Sequence, residues 1–159
     1  MWREFLFVNE SKEFKESKKS KKSITKKSKK MAKYNSFEEM EVYQKALQFG
    51  VKVYKLTLTN EKIAKDYGLK DQLQRAALSI SNNIAEGFER ETKKELIRFL
   101  YFSKGSAGEC RNMFNFLQLL EYINEENFYD HRNDVLEISK QLGNYIKFLK
   151  NLEKQNKKS

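Results

Sequence analysis

Not one proline occurs in the 159 residues. Ordinary usage of about 5% would supply roughly eight. Proline removes a backbone donor and breaks helix interiors. A chain without it is free to run long, uninterrupted helices, and the apolar residues follow helical spacing. Met40, Tyr43, Leu47, Val51, Tyr54 and Leu58 recur three and four residues apart, the signature of one helix face. Val42, Phe49, Val53 and Leu56 form a second apolar set on the opposite side. The first helix is predicted over Phe37–Leu58, with Ser36 and Glu39 as a capping box.

Three more helices follow. The second spans Leu69–Gly87, with Leu69, Leu73, Ala76, Ile80 and Ile84 inward and Gly87 suited to the C′ position. The third opens on a Thr92/Glu95 capping box and continues to Tyr122. Leu96, Phe99, Leu100, Ser103, Ala107, Cys110, Phe114 and Leu117 form its core stripe, and Ile97, Tyr101, Phe116 and Leu119 form a second apolar set. The fourth spans Glu125–Lys150, with Phe128, Val135, Ile138, Leu142, Ile146 and Leu149 on one face. Short connections between four such helices predict an all-α fold, an antiparallel up-down-up-down four-helix bundle over residues 36–150. A bundle buries one side of each helix, so the surplus apolar sets predict a homo-oligomer. Phe49, Val53, Tyr101, Phe116 and Leu119 are the expected interface.

The net charge of +10 is uneven. Residues 1–33 carry 12 basic and 4 acidic side chains, and residues 147–159 carry five Lys and one Glu. Residues 34–146 are near neutral, with 15 basic and 17 acidic. The stretch 9–33 is a Lys/Ser run too polar to bury a core, so residues 1–35 read as a disordered Lys/Ser-rich N-terminal tail and 151–159 as a basic C-terminal tail. Met31 offers an alternative start, which would leave residues 1–30 untranslated. Such tails suit sequence-indifferent phosphate contacts through Lys21, Lys22, Lys26, Lys27, Lys29 and Lys30. Within the bundle, Arg75, Arg90, Lys93, Lys94 and Arg98 are the candidates for phosphate contact.

One Cys and one His occur, which excludes an intramolecular disulfide and a Cys/His zinc site. Neither an apolar run long enough to cross a membrane nor a secretory signal is visible, and a cytoplasmic setting without membrane contact is expected. The segment SISNNIAEGFER (Ser79–Arg90) and the segment GSAGE (Gly105–Glu109) place small and polar residues inside helices. Gln72, Arg75, Ser79, Asn82 and Glu86 share a narrow stripe. A polar network across the seam between the second and third helices is expected from Ser79, Asn83, Glu86, Ser106 and Glu109. Arg75 or Arg90 would pair with Glu86 or Glu109, and the small residues Gly105–Gly108 would admit a neighbouring helix closely. Glu86 and Glu109 lack the Glu-x-x-His partners of a di-metal bundle. His131, on the inward face, reads as a core or helix-end residue, and Cys110 as a small hydrophobe. No catalytic signature, metal site or cofactor motif is present, so no enzymatic activity is expected.

The run Tyr67–Arg90, the downstream Arg98–Glu109 and the opening Ser36–Ala46 together resemble the bacterial four-helix-bundle family of 23S rRNA intervening-sequence proteins. The resemblance covers about 36–150. It implies a homo-oligomeric, pentameric bundle, some of whose relatives are encoded inside 23S rRNA genes. The related accessory variability proteins of diversity-generating retroelements bind nucleic acid and a reverse transcriptase. An accessory protein that binds RNA or DNA is therefore expected, with an adaptor for a protein partner such as a reverse transcriptase as the alternative.

Overall fold

The computed structural model describes residues 34–156; the basic N-terminal run, including Lys21, Lys22, Lys26, Lys27, Lys29 and Lys30, lies outside them. After a 3-10 turn at Phe37–Glu39 come five helices: α1 (Glu41–Thr59), α2 (Glu61–Lys65), α3 (Tyr67–Glu89), α4 (Lys93–Leu119) and α5 (Glu125–Asn156). The four long ones form an up-down-up-down bundle in which α1 packs on α3, α3 on α4 and α4 on α5. The seam closing α5 back onto α1 is the thinnest of the four.

Helix ends follow side-chain chemistry. Asn60 Oδ1 accepts from the Ile63 amide at 3.1 Å, and Asp66 Oδ1 from the Leu69 amide at 3.1 Å. These two N-caps start α2 and α3 six residues apart and explain the extra short helix. Thr92 Oγ1 caps α4 through the Glu95 amide at 3.2 Å. The Ser36/Glu39 box does not form: Ser36 makes no cap bond, and Glu39 instead accepts from the Asn35 amide at 3.1 Å. The chain leaves α4 through a Schellman turn. The Glu121 amide donates to the Gln118 carbonyl, and the Tyr122 amide donates to the Leu117 carbonyl, each at 2.9 Å. Glu91 and Glu121 take the left-handed conformation at the two long connections, at φ 62° and 54°. Gly87 does not occupy that position.

The inward faces of α3, α4 and α5 are largely those expected from spacing, and Val135, Ile138, Leu142, Ile146 and Leu149 of α5 are all buried. On α1 the two faces are exchanged. Phe49 and Val53, expected at an oligomer interface, are 2% and 0% exposed and fill the protomer's own core. Leu47, Val51, Tyr54 and Leu58 lie on the surface instead. Small residues explain the exchange. Val42, Ala46, Phe49, Gly50, Val53 and Thr57 make up the buried face, and a Cβ added at Gly50 would sit 3.9 Å from the Ala77 carbonyl oxygen of α3. A face carrying Ala, Gly and Thr looks weak in hydropathy yet lets two helix backbones approach. On α4, Ile97 is likewise buried, while Tyr101, Phe116 and Leu119 are exposed, Leu119 by 83%.

At Gly87, α3 and α4 are in tight contact. A Cβ there would lie 2.5 Å from Phe99 Cβ and 3.5 Å from Leu96 Cα. Gly105 and Gly108 behave otherwise: added Cβ atoms would meet nothing within 4 Å, so these glycines admit no neighbouring helix in the protomer. Gly87→Ala is expected to cost about 1–3 kcal/mol of stability, as overpacking of a tight contact does, whereas Gly105→Ala should stabilise or leave stability unchanged. Urea unfolding of the two variants checks the contrast.

Candidate nucleic-acid interface

Four of the polar-seam residues make contacts across or beside the α3–α4 seam. Asn83 Nδ2 donates to the Ser79 carbonyl at 2.7 Å and to Ser79 Oγ at 2.9 Å. Ser79 Oγ and Ser106 Oγ stand 3.1 Å apart. Gln72 Nε2 reaches Glu109 Oε1 at 3.4 Å on the exposed side. Ser103, fully buried, donates to the Ile80 carbonyl at 2.8 Å and ties the two helices at their centre. Glu86 is not part of this seam. It pairs with Arg90 of its own helix region at 2.6 Å, and Asn82 faces outward. The bond of Ser103 satisfies a buried hydroxyl, and with the Ser79–Ser106 contact it fixes the register of α3 on α4.

His131 and Cys110 are built into the core. The Cys110 thiol is pushed up to about 12 by burial, with the Glu109 charge adding to it, so no thiolate forms near neutrality. His131 is 3% exposed and stacks on Phe114 with ring centres 4.9 Å apart. Its Nδ1 lies 2.8 Å from the Asn127 carbonyl, which makes Nδ1 the protonated nitrogen and leaves buried Nε2 without a partner. Burial holds its pKa below the usual 6.5, partly opposed by the Asn127 bond. Between the two pKa values the unfolded chain binds a proton that the folded protein refuses, so stability falls as the pH drops through 6.5. His131 is the sole histidine, and the melting temperature is expected to fall between about pH 7.5 and about pH 5.5, the window in which histidine titrates. His131→Leu should flatten that slope in a thermal scan. Among the described residues, no three His, Cys, Asp or Glu side chains gather as a metal site would require.

Three of the five basic candidates of the bundle are already paired. Arg75 meets Asp71 at 3.0 Å, Arg90 meets Glu86 at 2.6 Å and Arg98 meets Glu95 at 3.7 Å. Arg75 therefore pairs with neither Glu86 nor Glu109. The Arg90 and Arg98 guanidinium groups also lie 5.4 and 5.6 Å from the ring centres of Phe99 and Phe102. Lys93 and Lys94 are exposed at the first turn of α4, where the helix dipole adds positive potential. None of these five lines either of the two grooves that flank α5.

Two grooves flank α5, and their charge differs. The one against α1, of about 310 Å³, is lined by Lys45 and Lys52 but also by Asp134 and Glu137. There Lys52 is held between Asp130 at 2.7 Å and Asp134 at 2.5 Å. Partial burial would lower the Lys52 pKa, but the hydrogen bonds to the two carboxylates outweigh it and hold it above its usual value. The same bond keeps Asp130 below the carboxylate range. This groove is neutralised. The groove between α4 and α5, of about 370 Å³, is lined by Lys104, Lys147, Lys150 and Lys154 and by no carboxylate. Among the described residues, none of the four ammonium groups has an Asp or Glu oxygen within 4 Å. Sequence reasoning missed this cluster because it ended the helix at Lys150, read 151–159 as a basic tail and counted the charge of Lys147 and Lys150 with that tail. In the structure α5 runs to Asn156, so Lys147, Lys150 and Lys154 belong to a folded surface. The 147/150/154 spacing, one face of a helix, was the available signal.

The fold defined so far is an all-helical bundle with a seam of small and polar residues between its second and third long helices and a lysine-lined groove beside them. The chain belongs to the 23S rRNA-intervening sequence protein family, whose model matches residues 38–144. It is also similar to a crystal structure from Bacteroides thetaiotaomicron VPI-5482, a protein of unknown function from the S23 ribosomal protein family. That likeness has 29% identity and a TM-score of 0.61, and covers 67% of this chain and 95% of the other. No curated protein sequence matches the chain.

Proposed function

We propose that this protein is a non-catalytic, homo-oligomeric accessory protein that binds RNA or DNA through the phosphate backbone. The observation that carries the reading is the α4–α5 groove, where four lysines converge with no carboxylate to neutralise them. Ammonium groups left without a carboxylate on a folded surface favour a polyanion, and lysine serves phosphate as a point charge without base readout. The family's name points the same way. The basic run at residues 1–33 adds sequence-indifferent attraction, which assembly of several copies would multiply.

Binding of a fluorescein-labelled RNA or DNA oligonucleotide is expected to weaken as salt rises, with log K falling linearly in log salt at about −0.7 per phosphate neutralised for a single strand. Fluorescence anisotropy from low to physiological salt measures the slope. Absence of binding at low salt would leave the adaptor function, with a protein partner such as a reverse transcriptase, as the reading.

Assembly is the second part of the proposal. Leu47, Val51, Tyr54 and Leu58 form one exposed apolar stripe along α1, Leu58 being 63% exposed, and Phe116 and Leu119 add apolar surface on α4. Light scattering of the full chain is expected to give a multiple of 19.0 kDa, five copies being the stoichiometry proposed. Val51→Glu combined with Leu58→Glu should reduce it to a monomer. A wild-type chain that scatters as a monomer would refute this.

A further inference from the structure

We infer that the groove between α4 and α5 takes a single strand of nucleic acid rather than a duplex, with Tyr101 as the platform on which an unpaired base stacks. The inference rests on the nucleic-acid reading above and narrows its ligand.

Three features of the groove point to it. The first is its charge pattern. Lys147, Lys150 and Lys154 rise along one face of α5 over about 10 Å at 1.5 Å per residue, and Lys104 faces them from α4. Both walls of the cleft are therefore positive. A backbone lying along the cleft meets cations on two sides, whereas a duplex offers a convex surface that two helix walls do not enclose.

The second is Tyr101. Its ring is half exposed and lines the cleft. The Lys150 ammonium donates to Tyr101 Oη at 2.8 Å but lies 4.9 Å from the ring centre. The cation is therefore at the phenol end, beyond the hydroxyl, and does not cap the middle of the ring. A half-exposed ring anchored by its hydroxyl, with lysines around it, combines the two elements by which proteins hold single strands: a cationic track for phosphates and an aromatic surface for bases. Bases in a duplex are stacked on one another and cannot use it.

The third is Gly143, opposite Lys104. A Cβ there would lie 3.9 Å from both Cε and Nζ of Lys104. The end of the lysine side chain therefore lies beside the bare backbone of α5, along the cleft it lines.

The test uses the full chain with 5′-fluorescein oligonucleotides of one length, as single-stranded RNA, single-stranded DNA and duplex DNA, followed by anisotropy at low salt. The single strands are expected to bind roughly tenfold more tightly than the duplex, the size of one base–aromatic stack. Lys147→Glu with Lys154→Glu should weaken single-strand binding by more than tenfold, with the helical circular dichroism and melting temperature retained, since both side chains are exposed. Tyr101→Leu should erase the preference for single strands while leaving duplex binding unchanged, and Tyr101→Phe should restore most of it. Equal or tighter duplex binding by the wild type would overturn the inference. So would Lys147→Glu/Lys154→Glu binding like the wild type, which would assign the contacts to the basic terminal run and leave the nucleic-acid reading standing. Failure of every oligonucleotide to bind would overturn both.

Discussion

The close packing of α3 on α4 is the constraint on which the rest of the bundle depends. At Gly87 the two helices approach so tightly that a single methyl group would overlap Phe99. Further along, the fully buried Ser103 hydroxyl donates to the Ile80 carbonyl, and Ser79, Asn83 and Ser106 complete a polar seam. Slipping the helices by one residue would break the two bonds that cross the seam, Ser103 to the Ile80 carbonyl and Ser106 to Ser79, and for the buried Ser103 hydroxyl a lost partner costs about 1–3 kcal/mol. Hydrophobic burial drives the helices together; the glycine and the serines decide how they sit.

That register has consequences for the surface. With α4 locked on α3, the opposite side of α4 turns Lys104 and Tyr101 toward α5, where Lys147, Lys150 and Lys154 complete the groove. The other flank of α5 shows what the same lysine-rich composition does when carboxylates are interleaved: Lys52 is held by Asp130 and Asp134 and its charge is spent internally. A charged patch becomes a candidate binding surface through the absence of local counter-charges, not through the number of lysines. Arg75, Arg90 and Arg98 illustrate the point, each paired with an acidic residue three or four positions away.

The exposed stripe on α1 is a second surface of a different kind. Leu47, Val51, Tyr54 and Leu58 present an apolar row that the protomer does not cover, and larger contiguous apolar patches mark contact sites. It lies on α1, away from the α4–α5 groove, so assembly and polyanion binding have separate surfaces available to them.

Much of this was legible in the sequence. The missing proline, the three-and-four spacing of α3, α4 and α5 and the Thr92 cap are local properties, and local chemistry carried them into the fold. The caps at Asn60 and Asp66 were not read, because the five-residue helix between them is too short to show a periodicity. What the sequence left undecided were choices between faces. On α1, two apolar stripes compete, and hydropathy favours the one with more large residues. The bundle buries the other, because Ala46 and Gly50 let α1 approach α3 and only tertiary packing rewards a small side chain. The same holds for the glycines: Gly87, Gly105 and Gly108 look alike in the chain, yet only Gly87 faces another helix closely. The groove depended on tertiary structure as well. Lys104 is more than forty residues from Lys147, and the two share a cleft because α4 and α5 are antiparallel neighbours. Helix content follows from interactions within a few residues and is written in the sequence; which faces meet, and so which charges stand together, follows from packing between distant segments.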